Sequence, residues 1–423
     1  MKFETLAIRS GYDPKSAQGA MNPPIYQTTA YDFGSCETAA NRFALKELGQ
    51  IYSRLTNPST DILEGRIAAL EEGAAALAVA SGQAAIFYAL ANLAACGENI
   101  IIAEKIYGGS TTLICNTMKR FGIEARVFDS ESVADLEALI DDKTRAIFFE
   151  TLSNPQISIP NIDQIVAIAN KHGVVTVADN TVATPVIYRP LTHGVDVVVH
   201  SASKYISGQG VSIAGLIVSS KTLNAKLVAN PRYAHFNEPD ESYHGLVFAD
   251  LAGAFDIFCL RIRIGLLRDI GATLSPFNAW QLTNSLETLS VRVKAHSHNA
   301  LQLARFLSTH AKVKSVNYPA LPNSPHFDFV RRYFTEQMAS GLLCFDVGSR
   351  EVAAKVMNSV KLFSIVVNIG DTKSIITHPA STTHQQLSSE QLASAGISEG
   401  LIRISVGLEN AEDLIDDLAN ALA

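Results

Sequence analysis

Lys204 closes the run Ser201-Ala202-Ser203-Lys204, directly after the apolar stretch 196–200. A lysine withdrawn from water holds its proton less tightly and can attack a carbonyl to form a Schiff base. A second apolar stretch, 174–178, exits into Asp179-Asn180-Thr181. A carboxylate in such a half-buried place needs a cation or N–H groups around it. The stretch 76–80 feeds Ser81-Gly82-Gln83 and then the helical 84–95. Free amides at the head of a helix suit a phosphate group. After 99–103 comes Tyr107-Gly108-Gly109, an aromatic able to stack on a flat ring, and after 146–151 comes Ser153-Asn154-Pro155, whose Asn154 amide can meet a carboxylate. Singly, each has a structural reading: a serine cap, a loop tyrosine beside turning glycines, an Asn-Pro turn, an acidic cap, a surface lysine.

These residues depend on the elements before them. The runs 76–80, 99–103, 146–151, 174–178, 196–200 and 214–218 are short, apolar and rich in Val, Ile or Ala, as buried strands are. Helical patterns lie between some of them, as at 162–172, where Asn161 can cap the start and Gly173 the end. Such alternation predicts an α/β fold with a mostly parallel sheet flanked by helices, whose ligands bind beyond the carboxyl ends of the strands. All the residues above fall at that edge. Residues 1–58 lack a strong period and read as an extended arm, 59–255 as the large domain, and 256–423 as a smaller C-terminal α+β domain. The last is expected to hold a long helix over 277–307, strands at 342–347 and 402–406, and a closing helix at 411–422.

The chain has 423 residues, 47% of them hydrophobic, and a formal net charge of −7. That length buries a large core, and that charge argues against a general nucleic-acid binder. Cys36, Cys96, Cys115, Cys259 and Cys344 are odd in number and scattered, so they are read as reduced thiols. The first twelve residues show no apolar core of a secretory signal, and the Ala-rich 77–96 reads as strand, turn and helix rather than a membrane span. His296 and His298 do not share a helix face, and His378 and His384 lack acidic or thiol companions in sequence, so no metal is expected.

One sheet edge thus collects a phosphate cradle, an aromatic plate, a carboxylate and a lysine. Pyridoxal 5'-phosphate needs those parts. The sequence at this point resembles the Cys/Met-metabolism enzymes that use pyridoxal phosphate, of the aspartate-aminotransferase-like fold type I. The likeness is carried by Tyr52-Ser53-Arg54 with Asn57-Pro58, Ser81-Gly82-Gln83-Ala84-Ala85, Tyr107-Gly108-Gly109, 150–155, Asp179-Asn180-Thr181, 201–204, His378-Pro379-Ala380-Ser381 and 403–409. The resemblance implies that Lys204 is the Schiff-base lysine and proton shuttle, that Asp179 pairs with the pyridine nitrogen, and that Tyr107 stacks on the ring. Gly82, Gln83, Ser201 and Ser203 would hold the phosphate, with Thr181 beside the cofactor. Tyr52 and Arg54 would reach it from a neighbouring subunit, in a homo-oligomer built as a dimer of dimers. Arg403 would grip the substrate carboxylate with help from Asn154. Two departures stand out. Gln83 replaces a common Met, where only the backbone N–H is expected to matter. Asn368 replaces a common Ser, which weakens any transfer of a side-chain role.

A finer likeness, in 368–374 and 233–246, points to members that put sulfur onto an acylated homoserine. It implies replacement of acetate on O-acetyl-L-homoserine by a sulfur nucleophile, giving homocysteine for methionine biosynthesis in the cytoplasm. Sulfide, methanethiol and a sulfur-carrier protein thiocarboxylate all fit as donor. Cystathionine γ-synthase and methionine γ-lyase chemistry are the alternatives on the same site. Two other classes fare worse. A non-catalytic relative would not need Lys204, Asp179 and Arg403 together. A nicotinamide oxidoreductase would want a Gly-x-Gly-x-x-Gly after its first strand, which is missing.

Overall fold

A computed structural model of the protein describes residues 1–382, 385, 392 and 396–423. His384 lies outside the described residues. Seven strands form the first sheet: β1 (Ala75–Val79), β2 (Asn99–Ala103), β3 (Glu124–Phe128), β4 (Thr144–Glu150), β5 (Val175–Asp179), β6 (Val197–Ser201) and β7 (Gly215–Ser219). Their order across the sheet is β1-β7-β6-β5-β4-β2-β3. Strands β3, β2, β4, β5 and β6 run parallel, whereas β7 is antiparallel to both β6 and β1. The sequence predicts all of these strands to within about two residues except β3. That strand reads Glu-Ala-Arg-Val-Phe and sits at the sheet edge with Glu124 and Val127 exposed, so it lacks the continuous apolar run of a central strand.

Helices cover the sheet. The Pro58–Glu71 helix begins where the Asn57 side chain accepts from Ser59 N–H at 2.9 Å. The Ile162–His172 helix has the expected Asn161 cap and ends at Gly173 with φ of 64°. The stretch expected as one helix over 277–307 is two, Pro276–Leu286 and Leu289–Thr309, separated at Glu287 and Thr288. The first of these packs on the Pro58–Glu71 helix. Arg66, almost fully buried, ties them together by donating to Thr283 O and Glu287 Oε1, both at 3.0 Å. Thr273 also bridges to Val79 of β1. Helical segments after residue 255 therefore still pack with the first sheet.

The second sheet has five strands: β8 (Ser315–Asn317), β9 (Leu342–Asp346), β10 (Ser364–Ile365), β11 (Ile375–Thr377) and β12 (Leu401–Ser405), in the order β10-β11-β12-β9-β8. It is antiparallel apart from the β10–β11 pair. Within 1–58, only Ala7, Pro23 and Asn57 are buried, so that segment lies along the surface despite its short helices at Phe3–Arg9 and Cys36–Phe43. Among the described residues no helix is long and apolar enough to cross a membrane.

Candidate active site

The carboxyl ends of β2, β4, β5 and β6 open into a cavity of about 420 Å³. Its walls include Gly82, Gln83, Tyr107, Asn154, Asp179, Thr181, Ser201, Ser203, Lys204 and Arg403. The cavity therefore gathers the expected residues of the large domain with one from the second sheet. Tyr52 and Arg54 are not in its walls; the Arg54 guanidinium lies 5.4 Å over the Tyr52 ring, and Tyr52 is 41% exposed.

At the cradle, Ser81 Oγ accepts from Ala84 N–H at 3.1 Å and Ser81 O from Ala85 N–H at 3.0 Å. The amides of Gly82 and Gln83 head the helix in front of these bonds. A side chain on Gly82 would strike Ser201 within 2.6 Å, so glycine lets the helix head and the end of β6 close around a small anion. Ser203 lines the same wall, although its hydroxyl also donates to Ala214 O at 3.3 Å and accepts from Ala214 N–H at 3.0 Å. The Gln83 side chain is not idle, contrary to expectation. Its amide donates to Gly109 O at 2.9 Å and so ties the cradle to the loop of Tyr107.

On the floor, two carboxylates end adjacent strands. Glu150 and Asp179 are register partners across β4 and β5. Burial raises both carboxyl groups above the usual range, and Asp179 pushes Glu150 further. Asp179 accepts from Thr181 N–H at 2.9 Å. Glu150 accepts from Tyr107 N–H at 2.7 Å and from Asn154 N–H at 3.0 Å. Among the described residues neither carboxylate has an ion-pair partner. Glu150 received no role from sequence because a polar residue at a strand end reads as an exit. Its register beside Asp179 is what gives it one.

At the far wall stand the two cations. Burial, and then Arg403, lower the proton affinity of Lys204. Lys204 Nζ donates to Asn368 Oδ1 at 2.7 Å. Arg403, in the middle of β12 and 3% exposed, donates to Asn154 Oδ1 at 2.8 Å and to Asn368 O at 3.3 Å. Its Nε has no partner among the described residues, and burial lowers its proton affinity too. A buried guanidinium without an anion is costly unless a ligand supplies one.

These residues fit pyridoxal phosphate on the geometry alone. Two buried carboxylates without a cation suit a protonated ring nitrogen, the Gly82 cradle suits a phosphate, and Lys204 can reach an aldehyde between them. The class so defined agrees with the comparisons. The pattern of the Cys/Met metabolism PLP-dependent enzymes matches residues 4–423, and the chain belongs to that family. Its fold is that of the pyridoxal-phosphate transferases of this type, and pyridoxal phosphate is its cofactor. Over its whole length the chain is 42% identical to an O-acetyl-L-homoserine sulfhydrylase of Leptospira meyeri, covering 96% of that protein. It is 43% identical to O-acetyl-L-homoserine sulfhydrylase 1 of Thermus thermophilus, with full coverage of both chains. A crystal structure of an O-acetylhomoserine (thiol)-lyase from Campylobacter jejuni, with a pyridoxyl-lysine monophosphate, superposes with a TM-score of 0.98 at 51% identity and covers both chains fully.

Proposed function

We propose that the protein is an O-acetyl-L-homoserine sulfhydrylase, which replaces acetate at the γ carbon with a sulfur nucleophile to give homocysteine. The observation that carries the reading is the buried Arg403, without an ion-pair partner among the described residues, facing Lys204 above the Glu150–Asp179 floor. Full-length likeness to relatives of that name supports the choice of acyl ester and sulfur.

Bound pyridoxal phosphate supplies the aldehyde that captures the substrate amine and a ring that draws electrons from the α carbon. The chain's residues supply the rest. Arg403 takes the α-carboxylate through its free Nε and its Nη groups, and Asn154 orients the guanidinium by accepting from Nη1. Asp179 would pair with the ring nitrogen and hold its proton, and Tyr107 forms a flat wall whose backbone is pinned by Glu150. Lys204, once its amine is free, accepts a proton from the α carbon and returns one after sulfur has entered. Its lowered proton affinity suits that task. Ile86, Leu152, Val182 and Ile369 line the cavity and keep water from finishing the reaction as an elimination.

Tyr52 and Arg54 complete the phosphate site of a neighbouring subunit in a dimer that pairs into a tetramer. Their exposure on an arm with little core of its own supports this. Mixing Arg54→Ala with Lys204→Ala subunits should recover activity through hybrid dimers; no recovery despite proven subunit exchange would remove the shared site. The cysteines are all free, which supports a cytoplasmic location.

Product analysis tests the function. Purified protein is given O-acetyl- or O-succinyl-L-homoserine with sulfide, methanethiol, cysteine or a sulfur-carrier thiocarboxylate. Homocysteine from the acetyl ester, with little oxo acid, is expected. Faster release of oxobutanoate and methanethiol from methionine alone would make it a γ-lyase. Cystathionine from cysteine as sole acceptor would make it a γ-synthase.

A further inference from the structure

Asn368 belongs to the segment 366–374, which joins β10 to β11 and is held from two sides. Thr372 N–H donates to Gly208 O at 2.9 Å, just beyond the lysine, and Gly370 N–H donates to Ser405 Oγ at 2.8 Å, just beyond the arginine. Gly370 has φ of 71°, and a side chain there would strike Tyr205 N within 2.6 Å, so the segment lies directly against the residue after Lys204. So clamped, Asn368 presents two oxygens to two cations. Its side-chain oxygen accepts from Lys204 Nζ at 2.7 Å, and its backbone oxygen accepts from Arg403 Nη2 at 3.3 Å.

We propose that Asn368 is a positioning residue that docks the free amine of Lys204 and stabilises its protonated form. The amide is neutral at all working pH, so its effect on the amine passes through one charge-assisted hydrogen bond. The other ionisable groups around the same cavity are Arg403, Asp179, Glu150 and Tyr107. Arg403 opposes a proton on Lys204, and Asn368 is the group that the lysine touches in return. Because the two cations share one residue, a carboxylate arriving at Arg403 would offset its charge and make the docked amine more basic. Binding at one end of Asn368 would thus prepare the proton carrier at the other.

The test needs no substrate in its first arm. The full-length chain is freed of pyridoxal phosphate, and acetylation of Lys204 by acetic anhydride is followed across pH by peptide mass spectrometry. Asn368→Leu removes the acceptor, so the midpoint should fall and acetylation below the midpoint should speed up about tenfold. Asn368→Asp adds a negative charge, so the midpoint should rise. Lys226, paired with Asp196 at 2.7 Å elsewhere, serves as the internal control. An unmoved midpoint in the folded variants overturns the proposal, and Asn368→Ala, which also removes the acceptor, decides if the Leu variant does not fold. In the second arm, with cofactor and O-acetyl-L-homoserine, Asn368→Leu should lower kcat and shift its pH profile while changing KM little, since the bond to Arg403 comes from the backbone. A raised KM at unchanged kcat and unshifted profile would overturn it. Only this arm rests on the proposed sulfhydrylase reading, so a moved midpoint without homocysteine would fault that reading and leave Asn368 in place.

Discussion

The two sheets contribute to the cavity in opposite ways. The first offers strand ends: Asp179, Glu150, Ser201 and, three residues on, Lys204 all follow or close parallel strands that point the same way. The second offers the middle of an antiparallel strand, where Arg403 stands between Ile402 and Ile404 with Cys344 opposite on β9. Parallel strands align their exits, so several loops deliver groups to one edge without further design. An antiparallel sheet aligns no such edge and delivers a group through the alternation of its faces. Buried residues flank Arg403 on both sides, and only its own face opens to the cavity. The strand ends of the first sheet should therefore govern the chemical step, with Asn368 of the β10–β11 segment steadying Lys204, and Arg403 of β12 should govern the hold on substrate.

The sharpest break would come at Lys204. Lys204→Ala should cut turnover by about 10³-fold or more, because both the covalent anchor and the proton carrier go. Borohydride reduction of the parent and peptide mapping should place the pyridoxyl group on Lys204, and label on another lysine would sink the assignment. Asp179→Asn should lower kcat on the order of 10²-fold with little change in melting temperature, since an amide cannot keep the ring nitrogen protonated. Near-parent kcat would release Asp179 from that role. Arg403→Lys tests the other sheet. An ammonium cannot match the fork of the guanidinium, so KM should rise about tenfold or more while kcat changes less. If kcat falls as steeply as in Asp179→Asn, the division of labour between the strand ends and Arg403 fails.

The smallest effect concerns stability. Burial raises the Glu150 and Asp179 carboxyl groups, so the folded, cofactor-free chain keeps a proton that the unfolded chain has released. That contribution is complete below the ordinary carboxylate range and is lost as pH rises through the raised values. Urea melts of the cofactor-free protein should show stability falling with pH across that window, and Asp179→Asn should flatten the fall. Parallel curves for parent and variant would mean that Asp179 keeps no such proton in the folded chain.

The sequence revealed the first sheet more readily than the second, for the same reason that the two differ. Uninterrupted apolar runs such as 197–199 mark central parallel strands, and the polar residues that end them mark the site. The edge strand β3 escaped because Glu124 and Arg126 break its run. The break at Glu287 and Thr288 escaped because both residues are compatible with a helix; in the structure the helix ends at Leu286 and the Glu287 side chain accepts from Arg66. Arg403 entered by resemblance alone, since nothing in Leu-Ile-Arg-Ile-Ser says which face of the strand is open. Asn368 and Glu150 could not be assigned from sequence, because their roles arise from neighbours 164 and 29 residues away.

The placing of β1 also bears on how the protein is made. β1 lies at the end of the first sheet, and its sheet neighbour is β7, with Ala75 opposite Ser219. A chain emerging from the ribosome makes β1 and the cradle helix Gly82–Ala91 early, yet that strand has nothing to pair with until β7 has followed it out. Such distant pairing is slow to close and leaves apolar surface open meanwhile. The proposed phosphate cradle is thus synthesised early and finished late, and uptake of cofactor would signal that the sheet has closed.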